Sequence, residues 1–180
     1  MTTSKSEFEE TRHIDRTNWP PGPWDSEPDR IEWRDEATGL PCVIIRPNND
    51  GHLCGYVGVP IWHMFYGKHC DDIGFDDDEY TGPYRGVTYA KHGNAHVRHT
   101  QLTNEPDRFW WLGFSCDGWG DGQPGRPIDP EFGMSLDRVQ RQYRTVPQVR
   151  EDCTKFAQMI INKPELRVSW QQLLTSEEVN

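Results

Sequence analysis

No stretch of the sequence approaches the roughly 20 consecutive apolar residues of a membrane-spanning helix. Its opening letters, MTTSKSEFEETRHIDR, hold no apolar run of a secretory signal. The expectation is a cytoplasmic chain with no membrane partner. Basic residues are scarce: 19 Lys and Arg stand against 29 Asp and Glu, a formal charge of -10. Such a balance repels phosphate backbones unless the cations gather on one face, and no gathering stands out along the sequence, so no direct nucleic-acid binding is expected. Paired cysteines are missing too. Cys42, Cys54, Cys70, Cys116 and Cys153 are odd in number and contain no CxxC, which points to reduced thiols rather than a disulfide framework. A P-loop, a dinucleotide-binding glycine fingerprint, a GxSxG elbow, an internal repeat and a heptad run are all absent, and no cofactor is expected.

The chain does have aromatic mass. Only 34% of its 180 residues are hydrophobic, yet eight Trp, seven Phe and six Tyr are among them, and each buried ring removes about 150–250 Å² from water. This length fits one domain better than two. The reading is an N-terminal arm over residues 1–18, one domain over 19–164 and a C-terminal extension over 165–180. The arm is polar, with a short helical turn expected over Glu7–Arg12. Trp19-Pro20-Pro21-Gly22-Pro23-Trp24 follows as a proline-stiffened strap over the surface, its rival reading being a proline-recognition ligand.

Strand patterns begin at Arg30, where Ile31 and Trp33 alternate with charged residues. Cys42–Arg46 then runs into Asn48-Asn49-Asp50-Gly51 and returns as His52–Val59, a hairpin whose turn glycine supplies positive φ. Gly55 and Gly58 in the return strand predict a bulge or a close approach. Pro60–Thr81 reads as a long connection, and Gly86–Ala90 as a short strand. Arg108–Cys116, apolar on both faces, reads as a central strand. A loop with four glycines and three prolines spans Asp117–Pro130. Two helices follow, the second presenting Val149, Cys153, Phe156, Ala157 and Ile160 at helical spacing and ending before Pro164, and Ser169–Leu174 predicts a last short one. The fold class is therefore α+β: a central, mostly antiparallel sheet with a C-terminal helix packed on one face.

Several clusters could carry chemistry. His92, His96 and His99 would share one face of a helix and could bind zinc, but Gly93 and Asn94 are poor helix formers and a polar loop accounts for the same letters. His52, Cys54, His63, His69 and Cys70 could converge on a metal, although their spacing matches no zinc module, and a buried cysteine with exposed histidines is the simpler reading. The six carboxylates between Asp71 and Glu79 lack the frame of an EF-hand and read as a solvated loop, with weak cation binding as the rival. Cys116, with Asp117 and Asp121, stands where a strand meets a glycine-rich loop, a place where pockets form. A nucleophilic Cys116 would need a base that the sequence does not place beside it.

Trp19-Pro20 with Gly22-Pro23-Trp24, Glu27-Pro28-Asp29, Thr38–Cys42, Cys54-Gly55-Tyr56-Val57-Gly58-Val59, Thr88-Tyr89-Ala90, Trp110-Trp111-Leu112-Gly113-Phe114 with Cys116, and Tyr143-Arg144 resemble a family of small uncharacterised bacteriophage and prophage proteins. The resemblance spans about residues 19–160. The chain departs from it twice, with Tyr84-Arg85-Gly86 where the family has His-Gly-Gly, and Ser115-Cys116-Asp117-Gly118 where it has Asp-Cys-Ala-His. The loss of both histidines favours binding over catalysis.

Resemblance and composition together predict a phage accessory protein acting without catalysis in the host cytoplasm, on a host protein or a small molecule, as a counter to host defence. Candidate ligand-binding residues are Tyr84, Arg85, Trp110, Trp111, Cys116, Asp117 and Asp121, with no metal ligands assigned. The alternatives are a small hydrolase or metal-dependent enzyme built around Cys116 and the histidine-bearing loops, and a virion component.

Overall fold

Alternating apolar positions and glycine turns yield six strands and two helices in a computed structural model that describes residues 7–10, 14–47, 50–75, 83–93, 97 and 108–163. The strands are β1 (Glu7–Glu10), β2 (Arg30–Arg34), β3 (Pro41–Ile45), β4 (Cys54–Val59), β5 (Tyr89–His92) and β6 (Trp110–Ser115), and the helices are α1 (Leu136–Gln142) and α2 (Val146–Asn162). They form one sheet in the order β1-β2-β3-β4-β6-β5, every neighbouring pair antiparallel. β6 lies between β4 and β5, the interior position that its two apolar faces require.

Side chains alternate across the sheet with period two. Cys42, Ile44, Val57, Val59, Leu112 and Phe114 belong to the main core, whereas Val43, Ile45 and Trp111 join Val97 in a second cluster, with Tyr56 and Tyr89 packed against it. α2 covers the first face, resting on β3 and β4. Its start is fixed by a capping arrangement in which Gln148 Oε1 accepts from the Thr145 backbone N–H at 2.9 Å, with Pro147 in the first turn. All five residues of the expected apolar stripe are fully buried.

Gly55 admits this helix. A Cβ there would lie 2.4 Å from the Phe114 ring and 2.7 Å from Cys153 Sγ. The ladder from Cys54 to Val59 is continuous, so close approach, not a bulge, accounts for the glycine.

Several local expectations are corrected. Glu7–Glu10 is edge strand β1 rather than a helical turn, because it can complete hydrogen bonds to β2 while Glu7 Oε1 accepts from Arg150 of α2 at 2.8 Å. The strap does not merely cover the surface: a 3-10 turn at Pro23–Asp25 directs Trp24 into the core, where its indole N–H donates to Pro20 O at 2.8 Å and its ring meets Tyr143 edge-on at 5.0 Å. The short strand expected at Gly86–Ala90 is formed by Tyr89–His92 instead. His92 is therefore in a strand and not a helix, packed edge-on against Trp110 at 5.1 Å, while His96 and His99 lie outside the described residues. The helix expected at Ser169–Leu174 and the acidic positions 76–79 also lie outside them.

Arg46 organises the junction between sheet and helices. Fully buried, it donates from Nε to Asp29 Oδ1 at 2.8 Å, from Nη1 to Gly51 O at 2.7 Å and Tyr143 Oη at 2.6 Å, and from Nη2 to Glu27 Oε2 at 2.9 Å. Tyr143 Oη donates to Glu27 Oε2 at 2.5 Å, and Glu27 Oε1 accepts from the Val146 N–H at 2.9 Å, capping the start of α2. Arg16 closes the network on Asp29.

A pH dependence follows from His63. It is buried, its Nδ1 accepts from the Phe65 N–H at 3.2 Å, and the backbone of Ile160 lies against the ring. Burial lowers its pKa to about 4. Since an unfolded histidine titrates near 6.5, the unfolded chain takes up a proton between pH 6.5 and 4 that the folded chain refuses, so stability falls across that window and is unaffected above it. Urea unfolding at pH 7 and 4.5 should show the wild type losing about 2 kcal/mol more than His63→Asn, which keeps the acceptor. Equal losses would show that His63 titrates normally in the fold.

Candidate functional site

An open cleft of about 420 Å³ lies between the Tyr84-Arg85 turn, the glycine loop after β6, and the α1–α2 junction. Arg85, Arg138, Arg141 and Arg144 line it together with Tyr84, Trp119, Asp121, Gln142 and Gln148. Three of the arginines come from one segment, at positions 138, 141 and 144. In α1 that spacing keeps Arg138 and Arg141 neighbours, and the chain's turn at Tyr143 brings Arg144 to the same cleft.

Asp121 holds the loop together. Its nearly buried carboxylate accepts from the Gly118 N–H at 2.9 Å, Tyr84 Oη at 2.5 Å and Arg85 Nε at 2.9 Å, and its own N–H donates to Gly118 O at 3.0 Å. Arg85 Nη2 donates onward to Trp119 O at 3.2 Å. Hydrogen bonding to Tyr84 and Asp121 raises the Arg85 pKa, so this guanidinium stays charged. Burial and the Asp121 bond raise that of Tyr84, which remains a neutral phenol. The Arg144 guanidinium lies 4.4 Å from the Tyr84 ring centre, and that of Arg85 5.4 Å.

The backbone here is strained and tightly fitted. Arg85 has φ +57°, the one positive value outside glycine among the described residues, a conformation that costs about 1–2 kcal/mol for a residue with a Cβ. A Cβ on Gly118 would come within 2.6 Å of the Arg85 guanidinium. A Cβ on Gly122 would fall 2.0 Å from Val139 O and 2.6 Å from Tyr143 N. The two glycines let the loop reach Arg85 and the end of α1, where the Gly122 N–H donates to Gln142 O at 3.0 Å.

Not every cation is equally engaged. Arg144 pairs with Asp152, Arg85 with Asp121, and exposed Arg141 with exposed Asp137 at 2.5 Å. Arg138 donates to Gln142 Oε1 at 3.1 Å and Gly133 O at 3.2 Å, and among the described residues it pairs with no carboxylate. With these three aspartates included, the cleft keeps an excess of one positive charge in a chain of formal charge -10. The sequence reading that basic residues are not gathered is thus corrected: the fold gathers four.

Of the residues expected from sequence, Tyr84, Arg85 and Asp121 meet in this cleft. Asp117 turns away, its half-exposed carboxylate 4.0 Å from His52 Nε2. Cys116 is buried, and burial, with Cys54 and Asp121 beyond it, pushes its thiol pKa up, the opposite of what a thiolate nucleophile needs. Trp111 is fully buried in the second cluster, and Trp110 packs with Tyr66 and His92 while its N–H donates to Lys68 O at 3.1 Å. Neither tryptophan lines the cleft: Trp110 shares the helix-bearing face but stands at the start of β6, the end away from the glycine loop, and alternation sends Trp111 to the opposite face. Among the described residues no group of His, Cys, Asp and Glu could hold a metal ion. His63 is buried while His69 is exposed beside Asp71 at 3.2 Å. Trp119, Arg138, Arg141 and Arg144 were not among the expected residues, although an arginine at every third position was a visible signal.

Among the described residues no helix is long and apolar enough to cross a membrane. The chain matches no family model, and no curated protein and no solved structure matches it.

Proposed function

We propose that this chain is a non-catalytic binding protein, of the phage accessory type its motifs resemble, that works in the host cytoplasm by holding a small anionic ligand in the arginine-lined cleft. The observation that carries the reading is the convergence of Arg85, Arg138, Arg141 and Arg144 on one concavity of an otherwise acidic protein. Guanidinium groups bind oxyanions through parallel N–H donors in a fixed fork, and they do so best when their positions are set in advance. Arg85 and Arg144 are set by Asp121, Asp152 and the Tyr84 ring, whereas Arg138 and Arg141 can turn to a ligand at the exchange of exposed contacts.

Binding fits this geometry better than catalysis. The cleft offers charge and hydrogen-bond donors, while the one candidate nucleophile beside it, Cys116, is buried as a thiol. Sequestering a small anion would serve a counter to host defence without chemistry.

Thermal unfolding with inorganic pyrophosphate, against sodium chloride of equal ionic strength, tests the reading. The midpoint should rise with pyrophosphate concentration as mass action requires. Arg138→Ala/Arg141→Ala, two changes on the exposed side of α1, should weaken the apparent affinity at least tenfold and leave the ligand-free midpoint within about 2 °C, as surface substitutions do. An equal rise in both proteins would place the anion elsewhere.

A further inference from the structure

Trp119 lines the same cleft with 92% of its surface in water. The indole sits on a backbone that is held: Trp119 O accepts from Arg85 Nη2, the flanking Gly118 is bonded to Asp121 from both its N–H and its carbonyl, and Gly120 takes φ +99°. A large flat apolar ring is thus presented at the rim by a fixed turn, a few residues from cations. Inorganic phosphate makes no use of it.

We propose that the ligand is a nucleoside phosphate, whose phosphate engages Arg138 and Arg141 and whose base stacks on Trp119; the inference rests on the anion-binding reading and names its substrate class. Three features of the cleft meet the three parts of such a molecule. Cations with exchangeable contacts suit the phosphate. The indole offers a π-face to a base of any identity, since stacking is tolerant of sequence. The amide NH2 groups of Gln142 and Gln148, both lining the cleft and with their oxygens held by Arg138 and Thr145, can donate to sugar hydroxyls or base edges. Its volume of about 420 Å³ falls within the range of small-molecule sites.

Isothermal titration of the full chain with AMP, adenosine and inorganic pyrophosphate, in wild type and Trp119→Ala, tests the inference. Because Trp119 is exposed, its removal leaves the core intact. AMP is expected to bind the wild type about tenfold more tightly than Trp119→Ala does, the size of one stacked base. Pyrophosphate should bind both proteins alike, and adenosine should bind weakly. Pyrophosphate binding with no loss of AMP affinity in Trp119→Ala would overturn the nucleotide inference while the anion cleft stands. No binding of AMP or pyrophosphate would overturn both.

Discussion

Arg46→Ala is expected to lower the unfolding free energy by about 3–5 kcal/mol, because it leaves the mostly buried Glu27 without its cation and the buried Asp29 with Arg16 in place of two guanidinium groups. Asp29 is fully buried and shared between Arg46 and Arg16, while Glu27, mostly buried, and the Tyr143 hydroxyl both bond to the Arg46 guanidinium. Replacing both sides with apolar groups would be far milder, which is why the loss measures unpaired charge and not the net worth of the bridge. The effect should extend to the cleft. Tyr143 lines it and sits between Gln142 and Arg144, so loosening its hydroxyl loosens the wall that carries the arginines. Urea unfolding of Arg46→Ala reads the stability, and a loss under about 1 kcal/mol would mean that Asp29 and Glu27 are satisfied without Arg46.

Gly122→Ala carries the second large effect. Its Cβ would meet Val139 O at 2.0 Å and Tyr143 N at 2.6 Å, both of them backbone atoms that cannot rotate aside. Either the loop leaves α1, breaking the Gly122 N–H bond to Gln142 O, or α1 shifts from the core through buried Val139. Overpacking of this kind costs about 1–3 kcal/mol. The cleft should suffer more than the fold, since Asp121, which positions Arg85, would be carried away with the loop: pyrophosphate affinity is expected to fall at least tenfold. Gly120→Ala, where no atom lies within 4 Å of the added Cβ, is a control for strain at positive φ without a clash. Unchanged pyrophosphate binding in Gly122→Ala would show that the loop's seat on α1 does not shape the cleft.

The sheet and the long helix were legible because their signals are periodic. Ile31 and Trp33 alternate with charges, Trp110–Ser115 is apolar on both sides, and Val149, Cys153, Phe156, Ala157 and Ile160 repeat at helical spacing; each pattern reports burial directly. β1 was not legible, since Glu7–Glu10 becomes a strand only by pairing with β2 and by the ion pair of Glu7 with Arg150 at a great distance in sequence. Trp24 was misplaced for a related reason: proline fixes φ along the strap, but the 3-10 turn that inverts one indole depends on the Tyr143 ring waiting inside.

The cleft was half legible. Strand end and glycine loop pointed to Asp121, and Tyr84-Arg85 stood out beside the motifs that carry the resemblance. Trp110 and Trp111 drew notice by their chemistry, yet Trp110 stands at the far end of β6 and alternation turns Trp111 to the other face, so the exposed Trp119 beyond the strand does the lining. Arg138, Arg141 and Arg144 were hidden by averaging, because a net charge of -10 describes the whole chain and not the concavity into which three turns of backbone aim their cations.

Anomalous diffraction from crystals grown with sodium tungstate, a heavy tetrahedral oxyanion, measures the cleft's preference most directly. A tungsten peak within hydrogen-bonding reach of the Arg138 and Arg141 guanidinium groups, facing Trp119 and Gln142, is the expected result. Peaks confined to other arginines, with none in this cleft, would contradict the account.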